Sequence, residues 1–177
     1  VGIAESTPLK RWLYQRFMPL AVDIERARLK GREPGIGQRF MRALGELLVY
    51  GPVKDQLGLS RAQHAYTAGE AIGEEIFLFF RALGLPLRQF YGQTENSALC
   101  AAQEMGSVKL HTVGKPFPGI DLKISDSGEI LVRGGNVFDG YFQDDAATAE
   151  SLQGGWLHTG DAGYREDDGQ LVVLGRV

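Results

Sequence analysis

Gln89-Phe90-Tyr91-Gly92-Gln93-Thr94-Glu95 and the earlier Thr67-Ala68-Gly69-Glu70-Ala71 each follow a short apolar segment. Arg61 to Tyr66 and Leu85 to Tyr91 read as strands, the second entered through Pro86. Between them, Glu74 to Leu83 puts Ile76, Phe77, Phe79, Phe80 and Leu83 on one helical stripe, and Gly84 closes it. Such strand–helix–strand units are parallel and right-handed. Parallel strands end on the same sheet edge. The spacing therefore predicts that the Gly69 and Gly92 loops are neighbours at the carboxyl edge, where open α/β sheets bind ligands.

The side chains gathered there suit a flat, phosphorylated ligand. Gly69 and Gly92 let backbone approach closely. Tyr91 offers an aromatic face, Thr94 a hydroxyl for a phosphate oxygen, and Glu95 a hard carboxylate for Mg²⁺. Taken alone, the same residues also read as a core tyrosine, a helix cap and a solvated first-turn acid.

Further motifs extend the pattern in order: Val113-Gly114-Lys115-Pro116, Gly128-Glu129-Ile130, Gly140-Tyr141-Phe142, Trp156-Leu157-His158-Thr159-Gly160-Asp161 and Gly175-Arg176. With Tyr91-Gly92-Gln93-Thr94-Glu95, the set resembles the adenylate-forming enzymes: acyl-CoA synthetases, luciferases and peptide-synthetase adenylation domains. Its form is most similar to a long-chain acyl-CoA synthetase. The resemblance covers at least residues 61–177.

That resemblance implies roles. Gly69, Glu70 and Ala71 would form one wall of an adenine slot, with Glu70 departing from the usual Gly-Gly-Ala. Tyr91, followed by Gly92, would form the other wall, and Gln89 would lie near the adenine amino group. Thr94 would bind the α-phosphate and Glu95 the Mg²⁺. Asp161 would take the ribose hydroxyls, since a carboxylate accepts from both, and Arg176 would approach ribose and phosphate. Ser97, Ala98, Leu99 and Cys100 would border the acyl pocket or pack on the sheet. Cys100 reads as a small buried residue rather than a nucleophile, no flanking cation being evident. ATP or AMP, Mg²⁺ and coenzyme A are the implied cofactors and co-substrates, with a small-molecule carboxylate, a fatty acid first, as substrate.

Composition sets bounds. The chain has 177 residues, 44% of them hydrophobic, enough for a core. Its one cysteine excludes an internal disulfide and suits a reducing cytosol, making a cytoplasmic location the expectation. Net charge is −3, and the balance is +4 over residues 1–60 and −7 over 61–177. Nucleic-acid binding has no support in an acidic chain without a recognisable module. His64, His111 and His158 are too scattered for a metal site. Nothing bears on oligomeric state.

Residues 7–30 read as a helix, with Thr7 as cap, Pro8 at its first position and Pro19 kinking or dividing it. Lys10, Arg11 and Arg16 beside Trp12 would suit peripheral membrane contact, against the simpler reading of a surface helix with one inward face. After the linker-like Gly31–Gly37, a second helix is expected over Gln38–Val49 with Phe40, Leu44, Leu47 and Leu48 inward. Asn96–Gln103 reads as weakly helical. From about residue 108 the signals become those of antiparallel strands: Asp121–Ser125 and Glu129–Arg133 about Asp126-Ser127-Gly128, then Ala162–Arg165 and Gln170–Leu174 about Asp167-Asp168-Gly169. Asp144 or Asp145 can cap a helix running through Leu152, and Phe138, Tyr141, Phe142 and Trp156 would fill this region.

The expected fold class is α/β: a partial Rossmann-like subdomain over 1–108, then a small antiparallel β-barrel or sheet over 109–177. The family's phosphate loop and its C-terminal catalytic lysine have no counterpart within 1–177. An interior piece of an acyl-CoA synthetase, inactive by itself, is therefore the first expectation. An aryl-CoA ligase or other adenylation enzyme is the second, and a non-catalytic nucleotide-binding module the third.

Overall fold

The computed structural model describes residues 7–69 and 72–177. Among these, the chain up to residue 65 together with 72–87 forms one compact unit, and 66–69 with 88–177 forms a second.

The first unit is helical. Helix α1 (Pro8–Leu29) runs as a single element through Pro19, which removes one N–H from the helical ladder without dividing it. Helix α2 (Ile36–Gly45) passes into a π-helical turn (Glu46–Tyr50) and then α3 (Gly51–Gln56). Helix α4 (Glu74–Ala82) completes the unit. Phe17, Met18, Ala21, Val49, Tyr50, Ala82 and Leu83 form its core. The Tyr50 hydroxyl donates to the Phe17 carbonyl at 2.9 Å. A side chain at Gly45 would meet the Tyr50 ring at 2.6 Å, so glycine there lets the ring inside.

Two amphipathic readings need correction in this unit. Phe40, Leu47 and Leu48 are exposed; α2 packs through Leu44, as expected, together with Met41. The π-helical turn carries one residue more than an α-turn, and it rotates Val49 and Tyr50 inward past Leu47 and Leu48. On α4, Ile76 is exposed, while Phe77 and Leu78 are buried.

The second unit carries two sheets. The first has the order β1 (Ala65–Thr67), β2 (Leu87–Tyr91), β3 (Ala101–Ala102), β4 (Lys115–Pro116). β3 runs antiparallel to both β2 and β4. The expected helix over 96–103 is absent: a short 3₁₀ turn (Thr94–Asn96) gives way to an irregular loop and β3. Gly114 makes the β3–β4 approach possible, because a Cβ there would stand 1.9 Å from the Ala102 carbonyl, at φ +90°.

The second sheet has the order β5 (Ile120–Ile124), β6 (Glu129–Gly134), β8 (Trp156–Arg165), β7 (Leu152–Gln153), and β9 (Leu171–Arg176) pairs with β8. Its registered pairs are antiparallel. Both predicted hairpins form about their Asp/Ser-Gly turns, and Asp144 caps α5 (Asp145–Ser151) by accepting from the Ala147 N–H. Tyr91, Cys100 and Ala101 join Leu122, Ile130, Val132, Leu157 and Leu171 in one core. Phe138 packs against it, but Phe142 is 91% exposed and does not fill it. Trp156 instead stacks under cations, with Lys123 Nζ 4.2 Å and Arg133 4.6 Å from its ring centroid.

Candidate functional site

A cleft of about 480 Å³ opens in the second unit, and Gly69, Gln89, Tyr91, Gly92, Asp161 and Arg176 all line it. All six were singled out in the sequence. Glu70 and Ala71 lie outside the described residues.

Tyr91 ends β2 with its side chain in the core, and its Oη donates to Asp161 Oδ2 at 2.7 Å. Burial, together with the Asp161 carboxylate, pushes the Tyr91 phenol well above its ordinary pKa, so the hydroxyl stays a donor. Asp161 sits on β8 directly opposite Arg176 of β9. Arg176 Nε lies 3.3 Å from Asp161 Oδ1, and Nη1 donates to the Thr159 carbonyl at 2.8 Å. Both oxygens of the Asp161 carboxylate therefore have a protein partner.

Gln89 has its amide nitrogen within 3.0 Å of the Leu110 carbonyl and 3.2 Å of that of Thr112. A buried polar chain supports that loop. Gln103 accepts from Gln89 N at 2.8 Å and donates to the Thr112 carbonyl at 2.8 Å, while Thr112 Oγ1 donates to Gln170 at 2.6 Å. Sequence reading passed over this chain, since isolated Gln and Thr residues carry no local signal of burial.

A second cleft of about 440 Å³ adjoins the first, sharing Gln93 and Arg176 with it. Glu95, Glu129, Tyr141 and His158 line it. Tyr141 Oη donates to Glu95 Oε1 at 2.7 Å. Glu129 bridges two partners on β8: His158 Nδ1 lies 2.9 Å from its Oε2, and Gly160 N donates to Oε1 at 2.9 Å. The Glu129–His158 and Tyr141–Glu95 pairs also escaped the sequence reading, although all four residues lie in quoted motifs. Strand register and the long connection after β6 bring them together.

Thr94 is exposed at the start of the 3₁₀ turn, between Gln93 and Glu95. Ser97, Ala98 and Leu99 are exposed, whereas Cys100 is fully buried, so these four do not share one surface. Burial pushes the Cys100 thiol up to about 12, which removes it as a nucleophile. No group of three or more His, Cys, Asp or Glu side chains is placed to hold a metal among the described residues. No helix among them is long and apolar enough to cross a membrane.

Comparison with known proteins shows which family the chain belongs to. A family model described as AMP-binding enzyme matches residues 26–142, more than half of the chain. The chain belongs to the AMP-binding enzyme family. A long-chain-fatty-acid–CoA ligase of Mycobacterium bovis is 40% identical over 156 residues, 88% of this chain and 26% of the relative. Long-chain-fatty-acid–CoA ligase 1 of Homo sapiens is 34% identical over 97% of this chain and 25% of its own. The chain thus spans about a quarter of the length of these curated relatives. Among solved structures, O-succinylbenzoate coenzyme A synthetase from Bacillus subtilis, in complex with ATP and magnesium ion, superposes with TM-score 0.56 at 35% identity, covering 63% of this chain and 26% of that one. An anthranilate CoA ligase in complex with anthranoyl-AMP gives TM-score 0.61 at 26% identity, covering 67% of this chain and 25% of that one.

Proposed function

We propose that this chain is the adenosine-binding portion of an ATP-dependent acyl-CoA synthetase acting on a fatty acid. In that reaction a carboxylate oxygen attacks the α-phosphorus of ATP and pyrophosphate leaves. The coenzyme A thiol then attacks the acyl carbon, and AMP departs. The observation that carries the reading is the convergence of Tyr91, Asp161 and Arg176 on one cleft, with Glu95 in the cleft beside it. Adenosine in the first cleft would lead its phosphates past Arg176 into the second.

Each residue has a task in this reading. Gly69 and the Tyr91-Gly92 wall would enclose the adenine, and Gln89 would lie toward its amino edge. Asp161, already oriented by Tyr91 and Arg176, accepts from the ribose hydroxyls. Thr94 donates to an α-phosphate oxygen. Glu95 suits Mg²⁺, which commonly takes one or two carboxylates plus substrate phosphates rather than an all-protein cage. One Glu95 oxygen is held by Tyr141, and among the described residues no group of three or more such side chains forms a metal cluster. Mg²⁺ bound with the phosphates would neutralise charge that otherwise repels the incoming carboxylate. Ser97, Ala98 and Leu99 would border the acyl chain, with Cys100 behind them. Residues 1–108 would belong to the parent's α/β subdomain and 109–177 to its β subdomain. The curated relatives favour a fatty acid, and the name of each as a long-chain ligase supports that choice.

Calorimetric titration with a non-hydrolysable dodecanoyl-sulfamoyl-adenosine tests the reading. Asp161→Ala should weaken binding by about 1.5–3 kcal/mol, the usual contribution of hydrogen bonds to a charged group, or roughly ten- to 150-fold in Kd. Equal binding by both proteins overturns the ribose assignment. Tighter binding of a benzoyl analogue than of the dodecanoyl one overturns the fatty-acid assignment alone.

A further inference from the structure

The segment that follows β6 grips the loop carrying Glu95. Phe138 N donates to the Glu95 carbonyl at 2.8 Å. Asn136 Nδ2 donates to the carbonyls of Asn96 at 2.8 Å and Leu99 at 2.6 Å, and Ser97 Oγ donates back to the Asn136 carbonyl at 2.9 Å. The loop requires such restraint. Ser97 and Ala98 both sit in the left-handed region, at φ 55° and 59°, which side chains other than glycine adopt at a cost. Gly92 accepts the loop closely, since a Cβ there would lie 2.2 Å from the Ala98 carbonyl.

Tyr141 completes the grip at the functional end of Glu95. Its ring stands edge-on to Phe138, centroids 4.8 Å apart. Its backbone N donates to Thr148 Oγ1 at 2.8 Å, and that hydroxyl bonds in turn to the Asp144 carbonyl at 2.8 Å. So fixed, it presents its hydroxyl to one carboxylate oxygen, Oε1. A carboxylate has about four lone-pair sites, so a single donor on Oε1 fixes the side chain while leaving Oε2 available.

We propose that Tyr141 is a positioning residue for the divalent cation of the nucleotide: it sets the Glu95 carboxylate in the orientation that takes the metal before the nucleotide arrives. This rests on the reading that Glu95 receives Mg²⁺ with the phosphates. The gain is preorganisation, because a side chain already fixed does not have to be ordered on binding.

The test titrates the chain with α,β-methylene-ATP, once with excess Mg²⁺ and once with EDTA, using wild type, Tyr141→Phe and Glu95→Gln. In EDTA the three proteins should bind alike. Mg²⁺ should tighten binding to wild type, Glu95→Gln should lose that gain, and Tyr141→Phe should reduce it by about fivefold, the scale of one side chain to be ordered. Mn²⁺ binding read by electron paramagnetic resonance should follow the same order. An undiminished Mg²⁺ gain in Tyr141→Phe, with the gain lost in Glu95→Gln, overturns the role of Tyr141 and leaves the site reading standing. A full gain in Glu95→Gln, or none in wild type, overturns the site reading and the proposal with it. Equal weakening of Tyr141→Phe with and without Mg²⁺ shows a general structural role and also overturns the proposal. Should Tyr141→Phe fold poorly, Thr148→Val, which loosens the ring while keeping the hydroxyl, should show a smaller loss confined to the Mg²⁺ titration; a loss without that metal dependence refutes the proposal.

Discussion

Replacing Tyr91 by Phe removes one oxygen and nothing else, and the structure says what that oxygen does. It donates to Asp161 Oδ2 at 2.7 Å. The Asp161 side chain is only 15% exposed, so water can replace the lost donor only in part. Hydrogen bonds to charged groups contribute about 1.5–3 kcal/mol. Arg176, 3.3 Å from the other oxygen, remains to steady the carboxylate, which puts the expected loss near the lower end, about 1.5–2 kcal/mol. For a chain of this size, each kcal/mol moves Tm by about 2–4 °C, so Tyr91→Phe should melt roughly 3–8 °C lower. Binding should respond differently. The aromatic ring stays in place, so affinity for the acyl-sulfamoyl-adenosine should change by less than about threefold, whereas Asp161→Ala loses the larger factor. Combining Tyr91→Phe with Asp161→Asn in a double-mutant cycle should give a coupling of about 1–2 kcal/mol in stability. Melting of Tyr91→Phe within 1 °C of wild type would show that no such bond forms in solution. An affinity loss as large as that of Asp161→Ala would mean that the hydroxyl, not the ring, meets the ligand.

Two further predictions concern the scaffold. Glu25 is buried in the helical unit, its side chain 4% exposed, with Arg81 Nε 2.7 Å away. Arg81→Met should cost about 3 kcal/mol in urea unfolding, the lower end for a broken buried pair because Arg28 Nη1 remains 3.7 Å from the other Glu25 oxygen, and adding Glu25→Gln should recover much of it; additive effects would refute the pairing. On the second unit, the Lys109 ammonium and the Gln170 N–H hold Asp168 down at about 2, below its ordinary 3.8, and Lys109 with His111 lowers Glu166. A depressed folded-state pKa contributes stability above the ordinary value and loses it as pH falls through the folded one. Stability should therefore drop as pH falls from near 3.8 to about 2. Lys109→Met should flatten that limb of the melting profile, and parallel profiles would count against the network.

What could be read from sequence was what local chemistry settles. Asp126-Ser127-Gly128 and Asp167-Asp168-Gly169 specify tight turns on their own, and both hairpins form. Residues 96–103 failed because their conformation is imposed from far along the chain. Asn96 Oδ1 takes the Gln93 N–H at 2.8 Å, and Asn136 then captures the Asn96 and Leu99 carbonyls. Small residues that would tolerate a helix are thus tied into a left-handed loop. Helix α2 failed for another reason. With the π-helical turn that continues it, it carries two apolar stripes, Ile36-Phe40-Leu47 and Met41-Leu44, and period 3.6 alone does not say which one packs within the unit.

The site shows the same division at finer grain. Tyr91, Glu95, Asp161 and Arg176 could be singled out as candidates because each belongs to a motif whose neighbours are close in sequence. Their partners were not, because every pairing that gives the site its geometry crosses a long stretch of chain. Tyr91 and Asp161 stand 70 positions apart, and Glu95 and Tyr141 stand 46 apart. Asp161 meets Arg176 because β8 and β9 share one register, and Glu129 reaches Gly160 because β6 and β8 share another, offset by an irregularity after Glu129. A slip of one residue in either ladder would send these side chains to opposite faces. The chemistry of the site is therefore written in short motifs, but its preorganisation is written in strand register. For that reason substitutions in the sheet core, such as Ile130 or Leu171, should disturb nucleotide binding without touching the ligand.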